Sequence, residues 1–382
     1  MFLFLLSFFL IYGGMHVYAY CKAKSALQFT PGVAVTLAAF MTLMTPAPIL
    51  VHFLKSWGFE FAARLLAYGG YTWMGFLFLF FSSSLAMDCY NVLVRLLGVL
   101  PRVDTSRFVV TGKKPFFVLL LLVVSIGCYG LFDARHIRTE KIKIVTSKLP
   151  PGLDRITIAQ VSDIHLGLTV RHSFLEKVIA IVNTANPDLL VSTGDLVDAQ
   201  INHLTGLAEL FQQVKPRYGK FAITGNHEFY AGIKQAIAFT ERAGFKVLRG
   251  EGITVKGLFN IVGVDDPAGI GRGQVNPKEE TEVLGSVSQN LFTLFLKHRP
   301  EVHEDTVGLF DLQLSGHTHR GQIFPFSIIT KLAYPMQNGL HRLTGGAVLY
   351  TNRGTGTWGP PMRFLAPPEV TIIEVVSDRE ID

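Results

Sequence analysis

Five short motifs rich in histidine and acidic residues follow one another along the second half of the chain. They are Asp163-Ile164-His165, Gly194-Asp195, Gly225-Asn226-His227-Glu228, His298 and Gly316-His317-Thr318-His319. Imidazole nitrogens and hard carboxylate or amide oxygens are common ligands of divalent metals, and none of the three cysteines of the chain lies among them. The residue types therefore indicate metal chemistry.

The spacing within the motifs favours shared coordination. Residues two apart in an extended chain project from the same face, so Asp163 and His165 can reach one ion, as can His317 and His319. Asp195 offers two oxygens, which is enough to bridge two ions. Two ions roughly 3.5–4 Å apart can clamp a phosphoryl group and lower the pKa of a bound water from ~15.7 towards ~7. The pattern predicts one hydrolytic two-metal site.

Each motif follows a short apolar run, which is typical of a buried strand. The run at 156–161 precedes Asp163, and the runs at 189–191 and 221–223 precede the next two motifs. Helical stretches such as 173–184 and 233–243 alternate with these runs, as in an α/β layer fold. Ligands of open α/β sheets gather beyond the carboxyl ends of the strands, so we expect the five motifs to converge.

Residues 155–376 resemble a calcineurin-like metallophosphoesterase, because the order D-x-H, G-D, G-N-H-[DE], H, G-H-x-H is matched without a gap. The resemblance implies an αββα sandwich and two divalent ions, with Mn, Fe, Zn or Mg as the candidates. One ion would be held by Asp163, His165, Asp195 and His319. The second ion would be held by the bridging Asp195 together with Asn226, His298 and His317. His303 is the alternative to His298, which we prefer because it directly follows an apolar run.

The resemblance also implies roles around the metals. His227 would contact the substrate and protonate the leaving oxygen, and Asp198 would orient His227. Arg320 and Arg353 are candidates for binding the substrate phosphate, although an arginine beside a glycine turn is often solvated or salt-bridged. Trp358 either lines the cleft or packs against the prolines that follow it.

The residue after Asp198 bears on the substrate. Phosphoprotein phosphatases of this superfamily have Arg-Gly there, whereas this chain has Ala199, which argues against a protein phosphatase. The sequences 316–322 and 352–356 resemble the membrane-associated branch that includes the YkuE-like phosphodiesterases. The resulting hypothesis is a binuclear phosphodiesterase in which metal-bound hydroxide attacks phosphorus.

The first third of the chain is strongly apolar. Residues 2–20, 31–54, 66–87 and 115–132 are nearly free of charge, and each approaches the ~20 residues that cross a bilayer as a helix. We predict a membrane domain of four transmembrane helices over 1–132, a basic connector over 133–152 and the catalytic domain over 153–382. Pro46 and Pro48 should kink the second helix. A secretory signal is the alternative for the first segment, but no Lys or Arg precedes it.

Charge is unevenly divided between the two halves. Residues 1–132 hold nine Lys and Arg against three Asp and Glu, and residues 133–382 hold 26 of each. A neutral catalytic half argues against nucleic acid as a partner. Basic residues near the helix ends balance on the two sides of the membrane, so the positive-inside rule does not orient the domain. We expect an integral multi-pass protein of the cell membrane.

Two alternatives to this function remain open. The bilayer as partner suggests a lipid-linked substrate, such as a pyrophosphate of the UDP-2,3-diacylglucosamine type. A protein of another class, a membrane sensor that binds metal or nucleotide without turnover, would keep the ligands but need not keep His227 and Asp198.

Overall fold

The structure is a computed structural model that describes residues 2–99, 104–198, 204, 206–275 and 279–380. Contacts divide the chain into two compact units. The first is Met1–Phe132 with Gly359–Met362, and the second is Asp133–Trp358 with Arg363–Asp382. Ala199 lies outside the described residues.

The first unit is built from helices. They are α1 (Phe2–Phe8), a π-helical turn (Phe9–Gly13), α2 (Gly14–Leu27), α3 (Pro31–Met44), α4 (Ala47–Ser56), α5 (Glu60–Leu97) and α6 (Lys113–Asp133). Within the described residues, two helices are long and apolar enough to cross a membrane, Glu60–Leu97 and Ser106–Asp133, and α3 with α4 would make a third if the bent pair is one span. Four spans were predicted, and the first of these segments is helical from Phe2 to Leu27, as α1, the π-helical turn and α2 in succession.

Proline has the predicted effect on the second apolar segment. Helices α3 and α4 meet at Thr45 and Pro46 with a bend of 50°. Proline lacks the backbone N–H that an uninterrupted helix would use, so the break falls where the ring would clash with the preceding turn.

The second unit contains two six-stranded mixed sheets. The first sheet has the order β1-β12-β2-β3-β4-β5 and the second β10-β11-β9-β8-β7-β6. The strands are β1 (Arg138–Thr146), β2 (Arg155–Val161), β3 (Leu189–Ser192), β4 (Lys220–Ala222), β5 (Lys246–Val247), β6 (Glu251–Val255), β7 (Phe259–Gly263), β8 (Thr293–Leu296), β9 (Leu312–Ser315), β10 (Gly339–Arg342), β11 (Val348–Thr351) and β12 (Glu369–Ser377). Strands β2 to β5 are parallel, as are β7, β8, β9 and β11.

The sheets face each other across one apolar core and carry helices outside. Ile156 and Val191 of the first sheet meet Leu294 and Leu314 of the second in that core. The helices are α7 (His172–Ala185), α8 (Leu207–Phe211), α9 (Asn226–Ala231), α10 (Ile233–Arg242), α11 (Glu280–Gly285) and α12 (Phe326–Ala333). Helices α7, α8 and α10 bury apolar side chains against the outer face of the first sheet. This is the α/β architecture predicted for the catalytic half.

The structure places a strand, β1, inside the segment 133–152 that was predicted as a connector. This strand pairs in parallel with β12 along nine residues and forms the edge of the first sheet. Lys141 and Lys143 alternate with Ile142 and Ile144, so one face of the strand is polar. A period of two is typical of a half-exposed strand. The sequence prediction overlooked it because the segment is rich in positive charge. The second unit therefore begins at Asp133.

Candidate metal centre

The motif residues lie directly beyond the carboxyl ends of five strands. Asp163 follows β2, Asp195 follows β3 and Asn226 follows β4 in the first sheet. His298 follows β8 and His317 follows β9 in the second sheet. Because these strands are parallel within each sheet, their ends gather the five motifs at one edge of the sandwich, as the sequence predicts.

One group of ligand atoms consists of Asp163, His165 and His319, all of them buried. The Nε2 atoms of the two histidines lie 3.0 Å apart, and His319 Nε2 lies 3.4 Å from Asp163 Oδ1. Ligand atoms that share one ion at ~2.1 Å lie roughly 3.0–3.4 Å from one another. The group therefore has the spacing of a first coordination sphere.

A second group consists of Asp195, His298 and His317. His298 Nε2 lies 3.3 Å from Asp195 Oδ2 and 3.2 Å from His317 Nδ1. The same Asp195 Oδ2 lies 3.9 Å from His165 Nε2 of the first group. Asp195 therefore stands between the two groups, in the position that a bridging carboxylate requires.

Asn226 supplies an independent test of whether the site fits a metal. Its Oδ1 atom is buried and has no hydrogen-bond partner among the residues that the structure describes. A buried amide oxygen without a partner is costly, and a cation next to it would remove that cost. Together with the oxygen and nitrogen donors of both groups, this atom fits a divalent ion.

The electrostatics of the site favour positive charge at its centre. Burial opposes the charged form of His298, but Asp195 and Asp163 outweigh burial and raise the pKa of His298 to about 10. By contrast, burial and the nearby charge of His227 lower the pKa of His165 to about 3. Burial also lowers the pKa of His317 to about 4. Two histidines are thus ready to donate a lone pair, and a divalent ion would replace the proton on His298.

Five of the predicted ligands have a left-handed backbone, with φ between 47° and 72°. They are Asp163, His165, Asp195, His317 and His319. Such residues cost of order 1–3 kcal/mol each and cluster at functional sites. Glycines packed against these residues leave them the necessary space: a Cβ at Gly225 would collide with Asp195 Oδ1, and one at Gly316 would collide with Ser162 Oγ and Asp163 Oδ2.

Two neighbours orient the histidines of the second group. His298 Nδ1 lies 2.7 Å from the carbonyl oxygen of Thr193 and donates to it, which leaves Nε2 free for a metal. His317 Nε2 lies 3.2 Å from Tyr334 Oη, so a proton on Nε2 donates to Tyr334 and leaves Nδ1 for the metal. The sequence analysis missed Tyr334, because it lies outside the motifs.

The first group is supported by Arg363, a fully buried arginine. Its guanidinium group donates to the carbonyl oxygens of Arg353, Gly354, Gly356 and His319. Its Nη2 atom also lies 3.0 Å from His319 Nδ1 and fixes the plane of that ring. Burial lowers the pKa of His319 and the charge of Arg363 lowers it further, against the effect of Asp163. Arg363 could not be predicted from the sequence, because its partners come together only in the fold.

Glu228, the last residue of the third motif, joins two ligand-bearing loops. Its carboxylate accepts hydrogen bonds from the backbone N–H groups of Asp195, Leu196, Val197 and Gly225, at 2.7–3.3 Å. Burial and the charge of Asp195 raise its pKa to about 7 in spite of these four donors. Glu228 therefore sets the distance between Asp195 and the loop that carries Asn226.

His227 lies beside the two groups and is held by Asp198. Its Nδ1 atom is 2.9 Å from Asp198 Oδ1, which leaves Nε2 available to a substrate. Burial disfavours the charged form of His227, but Asp195 and Asp198 outweigh burial and raise its pKa to about 9. The exposed Trp358 packs edge to face against His227, with ring centroids 5.8 Å apart. Of the two alternatives for Trp358, this contact favours the one in which it lines the cleft.

The two candidate phosphate-binding arginines have different surroundings. Arg353 is largely buried and forms ion pairs with Glu140 and Glu369, so it is a salt-bridged residue and not one that is free to bind phosphate. Arg320 directly follows His319, has a left-handed backbone (φ 51°) and is half-exposed. Of the pair, Arg320 is the one that the structure leaves at the edge of the site.

The family model for calcineurin-like phosphoesterases matches residues 156–321, which contain all seven predicted ligands. A metallophosphoesterase from Aquifex aeolicus is 38% identical over 257 residues, covering 67% of this chain and 98% of the relative. The chain belongs to the calcineurin-like metallophosphoesterase family. It is a metal-dependent phosphoester hydrolase, as predicted.

Two further relatives add detail. The metallophosphoesterase YkuE from Bacillus subtilis is 35% identical over 267 residues, covering 66% of this chain and 91% of the relative. A transmembrane protein with metallophosphoesterase domain from Danio rerio is 31% identical over 318 residues, covering 76% of this chain and 73% of the relative. The similarity to YkuE agrees with the branch that the sequence resembles.

Proposed function

We propose that this protein is a membrane-anchored phosphodiesterase that uses two divalent ions. The observation that carries the proposal is the pair of ligand groups joined by Asp195, with His227 and Asp198 directly beside them. In this arrangement Asp163, His165 and His319 would hold one ion, and His298, His317 and Asn226 would hold the other. Bound ions would supply an activated water and neutralise charge on the phosphoryl oxygens.

The charge around the site supports a diester over a monoester. A phosphate monoester carries close to two negative charges at neutral pH, whereas a diester carries one. Arg353 is neutralised by Glu140 and Glu369, so of the two candidate arginines only Arg320 remains for the substrate. Beyond the ions, one partly exposed arginine is thus available to the substrate, which suits the single negative charge of a diester better than the two charges of a monoester.

The side chains of His227 and Asp198 act on the leaving group. Asp198 accepts a hydrogen bond from the Nδ1–H group of His227 and thereby leaves Nε2 for the substrate. Nε2 then donates its proton to the leaving oxygen, which becomes an alcohol. Asp198 stabilises the positive charge of the ring before that transfer.

The first unit would hold the hydrolase at a membrane. Support comes from the two helices that are long and apolar enough to span a bilayer. The relatives from Danio rerio and Bos taurus are named transmembrane proteins with a metallophosphoesterase domain. Anchoring makes a phosphodiester in the membrane or at its surface the expected substrate.

The test uses the full-length protein in detergent, loaded with Mn²⁺. We expect hydrolysis of bis(p-nitrophenyl) phosphate and weaker hydrolysis of p-nitrophenyl phosphate. Asp195→Asn should lose both metal and activity, whereas Asp305→Asn, the same change on an exposed 3₁₀ turn, should keep both. A fully loaded wild-type protein that cleaves neither probe would support the non-catalytic sensor instead.

A further inference from the structure

Helix α12 exposes the apolar side chains that a helix of a soluble domain normally buries. Ile329 is 59% exposed and Leu332 is 81% exposed, whereas Thr330 is buried. We define the α12 surface by its exposed apolar side chains, which are Phe324, Phe326, Ile328, Ile329 and Leu332. An exposed apolar patch of this kind marks an interaction site.

The α12 surface borders the metal centre at both ends of the helix. At its start, the backbone of Gly321, two residues after His319, packs against Ser327 of the first turn. At its end, Tyr334 contacts His317 through the hydrogen bond of 3.2 Å. Whatever covers the α12 surface therefore lies beside the metal centre.

A second link joins this region to His227. The side chain of Gln322 accepts from the backbone N–H of Trp358 at 2.9 Å and donates to its carbonyl oxygen at 2.8 Å. The ring of Trp358, which is 57% exposed, reaches from there to His227. The apolar border of the site thus continues from α12 to the general acid.

The charge of the sequence segment that carries α12 favours one kind of partner. No Asp or Glu occurs between Asp311 and Glu369, whereas Arg320, Lys331 and Arg342 are at least partly exposed there. A helix with apolar side chains and flanking basic residues is suited to the interface of a bilayer that contains anionic lipid. A soluble partner protein would not require this absence of acidic residues.

The length of chain beside the second unit points to the same partner. The apolar helix α6 ends at Asp133 and β1 begins at Arg138. Five residues span at most roughly 17 Å, so a bilayer that holds α6 stays within that distance of the first strand. A lipid surface is then always available to the catalytic unit.

We propose that the α12 surface docks into the interfacial layer of an anionic bilayer, and that the metal centre takes a phosphodiester whose lipid part stays in that bilayer. This inference rests on the proposed phosphodiesterase function and its membrane anchor. The apolar side chains enter the acyl boundary, Lys331 contacts lipid phosphates, and Trp358 lies along the path from the bilayer to His227.

The docking is tested with a fluorescent probe on the full-length protein in nanodiscs of phosphatidylcholine and phosphatidylglycerol. The three cysteines are changed to serine, and an NBD group is attached to Leu332→Cys or, as the matched control, to Lys177→Cys on the exposed face of α7. We expect a blue-shifted emission and quenching by doxyl-labelled lipid at position 332 only. Emission like that of the control would overturn the proposal. A blue shift without lipid quenching would also overturn it, in favour of contact with a second copy of the chain.

The substrate part is tested by kinetics. Changing Ile329 and Leu332 together to serine should raise the KM for a fluorogenic lipid phosphodiester in the nanodisc about ten-fold. The kcat/KM for bis(p-nitrophenyl) phosphate, which is soluble, should not change. Val145→Ser, at an exposed apolar position on β1, is the control and should alter neither. An unchanged KM for the lipid substrate would refute the inference, whereas a wild type inactive on both substrates would refute the phosphodiesterase function and leave the probe result to stand by itself.

Discussion

Replacing Glu228 by glutamine tests whether one buried carboxylate holds the loops that carry Asp195 and Asn226. Each carboxylate oxygen accepts from two backbone N–H groups, one pair on Gly225 and Asp195 and the other on Leu196 and Val197. Glutamine replaces one oxygen by an NH₂ group, which cannot accept, so one pair of buried donors loses its partner. An unsatisfied buried donor costs about 1–3 kcal/mol.

The two lost hydrogen bonds should lower the free energy of unfolding of the catalytic unit by about 2–6 kcal/mol. For a unit of this size, that corresponds to a decrease in Tm of roughly 5–20 °C. Because the loops carry metal ligands, we also expect less than the full complement of metal to copurify. The measurement combines differential scanning fluorimetry with elemental analysis at pH 8, above the pKa of about 7, so that the wild-type carboxylate is mainly ionised.

The control is Glu241→Gln on the exposed end of α10, which makes the same chemical change without these hydrogen bonds. It should shift the Tm by less than about 1–2 °C, as surface substitutions do. A Glu228→Gln protein with the wild-type Tm and full metal content would show that the four contacts do not hold the loops.

Three further changes probe the same centre. In Arg363→Lys, the lysine keeps the positive charge but cannot reach all the carbonyl oxygens and His319. One of the two metals should therefore bind about 10–100-fold more weakly in a competition titration. The control Arg155→Lys, at an exposed position, should bind both metals as the wild type does. His227→Gln should keep its metal and lose about 10²–10⁴ in kcat, and the loss should be greater for an alkyl diester than for a p-nitrophenyl diester, whose leaving group needs no proton. Removing metal with EDTA takes away an ion that binds only the folded protein, so the Tm of the catalytic unit should fall. It should fall less in Asp195→Asn, which holds less metal at the start.

The parts of the site that the sequence predicts are those with local signals. Asp163, Asp195 and His317 each follow a buried strand, and a glycine precedes the last two, so order and spacing alone place them at one sheet edge. Their individual roles as ligands stay predictions that metal analysis of single variants can test. The family itself is confirmed by the matched model and relatives.

The parts that were missed depend on distant segments of the chain. Arg363 bonds to carbonyl groups of residues 353–356 and to His319, which no spacing rule connects to it. The β1 strand pairs with β12, which lies more than 200 residues further along the chain. In the first unit, apolar composition predicts helices but not local irregularities such as the π-helical turn at Phe9–Gly13.

The left-handed backbone of five predicted ligands indicates where the fold gives up stability for function. Residues with these φ values are strained, and such strain persists only where surrounding contacts hold it. Glu228 and Arg363 provide those contacts on opposite sides of the centre, through backbone groups rather than through the ligand side chains alone. The ligand atoms of both groups and the unpartnered Asn226 oxygen would be satisfied by the same ions. Metal binding should therefore be strongly coupled to the order of these loops, while the sheets beneath them keep their own apolar core.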